Sequence, residues 1–175
     1  DWDAVLNVHL RGTFLMTRAF ARAVKMQQKY EQGSGGTAIV NTTSLAGLLG
    51  NFGQANYSAA KAGIYGLTRT ASMELARIGC RVNAIAPVAM TRMTQDVPAL
   101  QSLGVESMGP SHVAPVVAWL ASPLAQEITG RIIGVHGTKV FEYRVEQNDG
   151  LDAPPGGTTW SPDLLQEHAA KSLMD

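Results

Sequence analysis

The sequence has a single cysteine, Cys80, so no intramolecular disulfide can form and no cysteine-based metal site can be built. Cys80 borders a β-branched run and reads as a small packed side chain. The four histidines (His9, His112, His136 and His168) are dispersed without metal-ligand spacing, and no metal is expected. Neither sign of charge is in excess: 14 basic residues balance 14 acidic ones, and no run of either stands out. That argues against nucleic acid or an anionic membrane surface as the main partner. No apolar run is long enough to cross a bilayer and no signal peptide opens the chain, so a cytoplasmic or organelle-matrix location is expected. An initiating methionine is missing too. The chain opens at Asp1-Trp2-Asp3 inside a helical pattern, as expected of a sequence that begins partway through a protein.

What is present suits a globular chain. Its 175 residues are 45% apolar and 16% charged, enough to bury a core. A helix is predicted over residues 2–30, with one glycine, no proline, and apolar residues at Val5, Val8, Leu15, Ala19, Phe20, Ala23 and Val24. Gly33-Ser34-Gly35-Gly36 breaks it. A buried strand follows over residues 37–43, then a loop punctuated by Gly47, Gly50 and Gly53. A second helix is predicted from about Gln54 to Ile78, stopped by Gly79. Residues 81–86 form the next strand, ended by Pro87. Ser111 can cap a third helix through Ala121 with Pro115 in its first turn, and residues 130–135 give a final strand. Helices alternating with strands place the chain in the α/β class, with parallel strands joined by crossovers. Residues 1–139 carry this pattern. Residues 140–175 read as a tail, with a flexible turn at 152–157 and a short helix from Ser161-Pro162 through Leu173, either a lid or partner-facing arm or a loosely attached end.

Tyr57 and Lys61 are four apart on the second helix and share a face, surrounded by the small residues Ser58, Ala59, Ala60, Ala62 and Gly63. Ser44 follows the preceding strand, at the carboxyl edge where open parallel sheets bind ligands. A carbonyl reduced by hydride needs a proton at its oxygen, and an alcohol being oxidised must lose one. An unperturbed phenol is too weak an acid to serve as an efficient base near neutrality. A neighbouring ammonium favours phenolate, and a serine hydroxyl can hydrogen-bond the substrate oxygen. Together the three residue types make a proton-transfer site.

The motifs Asn41-Thr42-Thr43-Ser44, Tyr57-Ser58-Ala59-Ala60-Lys61 and Val82-Asn83-Ala84-Ile85-Ala86-Pro87 resemble the short-chain dehydrogenase/reductase family in order and spacing. The resemblance covers roughly residues 2–137. It implies a Rossmann-like doubly wound parallel sheet, of which this chain is the C-terminal part, and an NAD(P)-dependent oxidoreductase interconverting a secondary alcohol and a ketone. Tyr57 would then be the acid/base, Ser44 would orient the substrate, and Lys61 would also bind the nicotinamide ribose. Asn7, in Leu6-Asn7-Val8-His9-Leu10-Arg11-Gly12, matches the helix asparagine that completes the catalytic tetrad and holds a water of the proton relay. Cofactor contacts would come from Tyr57, Lys61, Pro87, Val88 and Thr91. Val88 stands where the family has glycine, and the loop to Thr91 is shorter by one residue. The family's glycine-rich phosphate loop and first strands are missing, and Gly33-Ser34-Gly35-Gly36 precedes a strand instead of opening a helix. The chain is therefore expected to be part of a longer enzyme.

Within the family, residues 51–61, 85–94 and 113–120 are similar to the dehydrogenase unit of peroxisomal multifunctional β-oxidation enzymes and to bacterial relatives in fatty-acid or steroid breakdown. This implies oxidation of a 3-hydroxyacyl-CoA or a steroid-related substrate, NAD ahead of NADP, a homodimer or homotetramer, and the peroxisomal matrix as an alternative location. Two alternatives stay open: a 3-oxoacyl-[acyl-carrier-protein] reductase, and a non-catalytic structural subunit. Met90, Met93, Leu100, Leu103 and Met108 could close over an apolar acyl or steroid group.

Overall fold

The computed structural model describes residues 1–30, 36–89, 108–152 and 159–172. It divides into two units, residues 1–143 and 144–175. The first opens with helix in three registers: α1 (Trp2–Leu6), a π-helical turn (Asn7–Arg11) and α2 (Gly12–Tyr30). A π turn carries one extra residue and leaves carbonyls poorly matched to the α ladder. The chain compensates locally. The Gly12 N–H is shared between the Asn7 and His9 carbonyls, and the Thr13 hydroxyl donates to the His9 carbonyl at 2.6 Å.

Four strands form one sheet in the order β1 (Thr37–Thr42), β2 (Cys80–Val88), β3 (Ile132–His136) and β4 (Lys139–Tyr143). The first three are parallel. They are joined by α3 (Leu45–Leu49) and α4 (Ala55–Glu74) between β1 and β2, and by α5 (Val113–Ala121) between β2 and β3. β4 returns antiparallel through the Gly137-Thr138 turn, with Gly137 at φ +55°. It carries the sheet past residue 139, where the sequence pattern fades.

Alternation along β2 sets the two layers. Cys80, Val82, Ala84 and Ala86, all nearly fully buried, occupy one face, where Cys80 meets Val24 of α2 and the alanines meet Leu48 and Tyr65. The small side chains let α4 lie close, with Ala60, Ile64 and Thr68 sealed beneath it. On the other face Ile85 joins Ile133, Val135, Val116 and Leu120 in a cluster under α5. Arg81, on that same face, donates to the Leu120 and Ser122 carbonyls at 2.8 and 3.0 Å, satisfying the end of α5. Buried Asn83 is engaged through both amide atoms, donating to the Ile128 carbonyl at 2.7 Å and accepting from the Arg131 N–H at 3.0 Å.

Several boundaries differ from the sequence expectations. The second helix ends at Glu74 and a 3-10 turn (Ala76–Ile78) leads to Gly79, whose φ of +65° closes it. Residues 45–49 form a helix inside the segment expected as loop. Ser111 lies in a 3-10 turn (Pro110–His112) and does not cap α5, whose first turn contains Pro115 as expected. β2 also runs through Pro87 instead of ending there. Ladder parity explains this: Ile85 faces β1, taking the Thr43 N–H at 2.8 Å, so Pro87 faces the same side beyond the last β1 pair, Thr42↔Ile85. Its missing N–H costs no ladder bond there.

In the second unit, α6 (Pro162–Ser172) is started by Ser161, whose hydroxyl accepts from the Leu164 N–H at 3.2 Å. Among the described residues no helix is long and apolar enough to cross a membrane.

Candidate active site

Three consecutive residues at the end of β1 organise the site around α4. The Thr42 carbonyl accepts from the Lys61 ammonium at 2.9 Å. The Thr43 hydroxyl, itself buried, donates to the Lys61 backbone carbonyl at 2.7 Å. Ser44 then turns the chain into α3, its extended backbone (φ −157°, ψ 154°) letting its Oγ accept from the Ala46 N–H at 3.2 Å. Lys61 is therefore gripped at both ends. Helix α3 seats on α4 at the same residue, because a Cβ on Gly47 would lie 2.5 Å from the Lys61 carbonyl carbon.

Lys61 is only 6% exposed, with its Nζ 5.5 Å from the centre of the half-buried Tyr57 ring. Burial holds its ammonium below the ordinary lysine value. Tyr57 and Lys61 are thus brought together, and Ser44 follows directly on the two threonines that clasp Lys61. Pro87 and Val88 lie at the carboxyl end of β2, on the same edge of the sheet, with Val88 paired to His136. Thr91, and with it Met90, Met93, Leu100 and Leu103, lies outside the described residues, while Met108 is buried.

Asn7 is placed differently from the other three expected catalytic residues. It is exposed and borders a shallow cavity of about 420 Å³ with Leu10, Arg11, Phe14 and Leu67, a lining that excludes Tyr57 and Lys61. The side chain of the π turn that meets Tyr57 is His9. Its ring stands edge-on to the phenol ring at 5.4 Å between centres. Burial, and then the Lys61 charge, lower the His9 pKa. His9, Lys61 and Thr42 also line a cavity of about 460 Å³ between α2 and β1. Sequence reasoning missed His9 because the π turn shifts which residues face α4, and helical spacing alone does not register that shift.

With this geometry in place, comparison with known proteins becomes informative. Residues 1–137 match the family described as enoyl-(acyl carrier protein) reductase. The chain belongs to the short-chain dehydrogenase/reductase family. Among its relatives is the hydroxyacyl-CoA dehydrogenase ChsB1 of Mycobacterium tuberculosis, 42% identical over 175 residues, covering 94% of this chain and 53% of that protein. A 3-oxoacyl-[acyl-carrier-protein] reductase of Synechocystis is 44% identical over 147 residues, covering 81% of this chain and 57% of that one. The crystal structure of a short chain dehydrogenase from Mycobacterium avium superposes with a TM-score of 0.81 at 41% identity, over 98% of this chain and 56% of that one. The full-length peroxisomal multifunctional enzyme type 2 from Drosophila melanogaster gives a TM-score of 0.79 at 29% identity, over 100% of this chain and 30% of that one. The expected family and its Rossmann-like α/β fold are thus both found. The chain spans about half the length of the curated relatives it matches.

Proposed function

We propose that this short-chain dehydrogenase/reductase chain carries the proton-transfer half of an NAD(P)-dependent oxidoreductase that interconverts a 3-hydroxyacyl-CoA and its 3-oxo form. The observation that carries the reading is the Thr42–Thr43 clasp, which fixes a buried Lys61 beside Tyr57 at the carboxyl edge of the parallel sheet, with Ser44 next in the chain. In oxidation, Tyr57 takes the proton from the substrate hydroxyl, and in reduction it returns that proton to the carbonyl oxygen. Lys61 stabilises the phenolate, and Ser44 holds the substrate oxygen against the phenol. The donor set at this edge suits a nicotinamide ribose. An ammonium has three N–H donors, of which Thr42 takes one, so Lys61 with Tyr57 would hold the ribose hydroxyls. The backbone of Pro87 and Val88 would border the nicotinamide, with Thr91 beyond them. When bound, the nicotinamide accepts or supplies the hydride.

The acyl-CoA assignment is supported by the extent of the relationship. Identity with the hydroxyacyl-CoA dehydrogenase extends over 94% of the chain, against 81% for the acyl-carrier-protein reductase. The second reading, reduction of 3-oxoacyl chains on acyl carrier protein, is supported by that reductase's slightly higher identity, 44% against 42%. NAD as the cofactor, a homodimer or homotetramer as the assembly, and a cytoplasmic or peroxisomal location belong to the same proposal. In the full-length protein, Tyr57→Phe is expected to lower turnover of 3-hydroxyacyl-CoA by on the order of 10²–10⁴-fold while leaving the circular dichroism spectrum unchanged. Retained turnover in Tyr57→Phe would remove Tyr57 from the reaction.

A further inference from the structure

On the reading that Ser44 orients the substrate oxygen, we infer that Tyr143 of β4 is a positioning residue, whose hydrogen bond to His136 braces α3 and so fixes the Ser44 hydroxyl. The need for a brace begins with the length of α3. Five residues cannot sustain a helix in isolation, so α3 takes its place from what it rests on. Its supports are the Ser44 cap at its start, Gly47 against the Lys61 backbone, and Leu48, which packs on Ala84, Ala86 and Ile132 of the sheet. Leu49 is exposed and adds no support. Tyr143 comes to the same three floor residues from β4.

Several contacts hold the Tyr143 ring there. It lies over Gly134, where a Cβ would come within 2.9 Å of it and within 2.6 Å of the Phe141 ring. Phe141 meets Tyr143 edge-on with ring centres 5.0 Å apart, and His136 meets Phe141 in the same manner at 4.9 Å. The ladder register puts all three on one face, because Tyr143 pairs with Ile132, Phe141 with Gly134, and Lys139 with His136. The Tyr143 hydroxyl and His136 Nε2 are 3.2 Å apart. Either imidazole tautomer keeps that bond, since Nε2 accepts from the phenol when bare and donates to it when protonated. Burial raises the Tyr143 pKa and, ahead of the Lys139 charge, lowers that of His136, so two neutral groups meet near pH 7. The bond is directional where the surrounding contacts are apolar, and it sets how the phenol ring lies on the floor. Without it the ring turns, Leu48 settles into the room it leaves, and α3 tilts about Gly47. Ser44 moves with α3. Lys61 does not, because Thr42 and Thr43 at the end of β1 clasp it separately. The hairpin thus acts on substrate orientation and leaves cofactor binding untouched.

The test uses full-length protein oxidising a 3-hydroxyacyl-CoA with NAD. Removing a hydrogen-bond donor from a reacting oxygen costs about 10²–10³ in kcat, so displacing one is expected to cost roughly tenfold. Tyr143→Phe should show that loss in kcat, with KM and the NAD dissociation constant within about twofold of wild type. His136→Gln, whose amide can still bond the phenol, should keep kcat within about twofold. In a Ser44→Ala background, Tyr143→Phe should cost nothing further, which a general loosening of the fold would not reproduce. Hydrogen exchange at the Ala46 amide, which donates to Ser44 Oγ, should quicken about tenfold in Tyr143→Phe. An undiminished kcat in Tyr143→Phe, or an equal loss with and without Ser44, overturns the positioning role, and a loss in His136→Gln as large as in Tyr143→Phe counts against the bond. A Ser44→Ala variant as fast as wild type defeats the orienting role of Ser44 instead. The Ala46 amide then decides the brace, and unaltered exchange overturns it. Should Tyr143→Phe fail to fold, His136→Leu removes the bond from its other end and takes its place with the same expectations.

Discussion

Lys61 shows how a charged side chain can be kept in a protein interior. An ammonium has three donors and loses much of its hydration on burial, and the Thr42 carbonyl replaces only part of that water. The folded pKa is therefore below the unfolded one, and the unfolded chain binds more protons between the two values. Stability must then rise with pH across that window, up to the unfolded lysine value near 10.4. Below the folded pKa the burial penalty is present in full. Urea unfolding from pH 7.5 to 10.5 is expected to show this rise in the wild type and a flatter profile in Lys61→Met. Equal slopes would mean that Lys61 is solvated in the folded state. The pairing of Tyr57 with Lys61 was legible in the sequence from their spacing. The partner of the ammonium was not, because a backbone carbonyl leaves no signature in residue type.

At the scale of elements, two glycines on neighbouring helices make opposite predictions. Gly47 sits inside α3 although glycine is a poor helix former, because the Lys61 backbone occupies the space a side chain would need. Gly47→Ala must push α3 off α4, at a cost of about 1–3 kcal/mol, and loosen the clasp on Lys61. Gly66, exposed on α4 with nothing near its missing Cβ, should accept alanine with a gain of about 0.5–1 kcal/mol. Thermal melts of the two variants would have to move in opposite directions. Gly47 and Gly50 also explain why α3 was read as a loop: they look like breakers, yet only Gly50, at φ +76°, ends the helix. The long apolar helices and the three parallel strands were legible because each repeats its pattern over several residues. β4 escaped because its five residues are of mixed exposure and its Gly-Thr turn is a weak hairpin signal.

At the scale of the whole chain, the sheet has two edge strands: β4 pairs with β3 alone and β1 with β2 alone among the described residues. Phe14, Leu15, Met16 and Phe20 of the adjoining α2 are exposed as well. An open edge strand beside exposed apolar side chains is a template for association. The 175-residue chain studied alone is expected to scatter light as species heavier than 18.6 kDa at micromolar concentration, and a monodisperse monomer would contradict this. The grip of Thr42 on Lys61 has a use of its own. The charge on that ammonium polarises a single backbone C=O, so a carbon-13 label at Thr42 gives one infrared band that shifts upward whenever Lys61 loses its proton or is drawn away by a ligand. The last carbonyl of the first strand is a vibrational gauge built into the site.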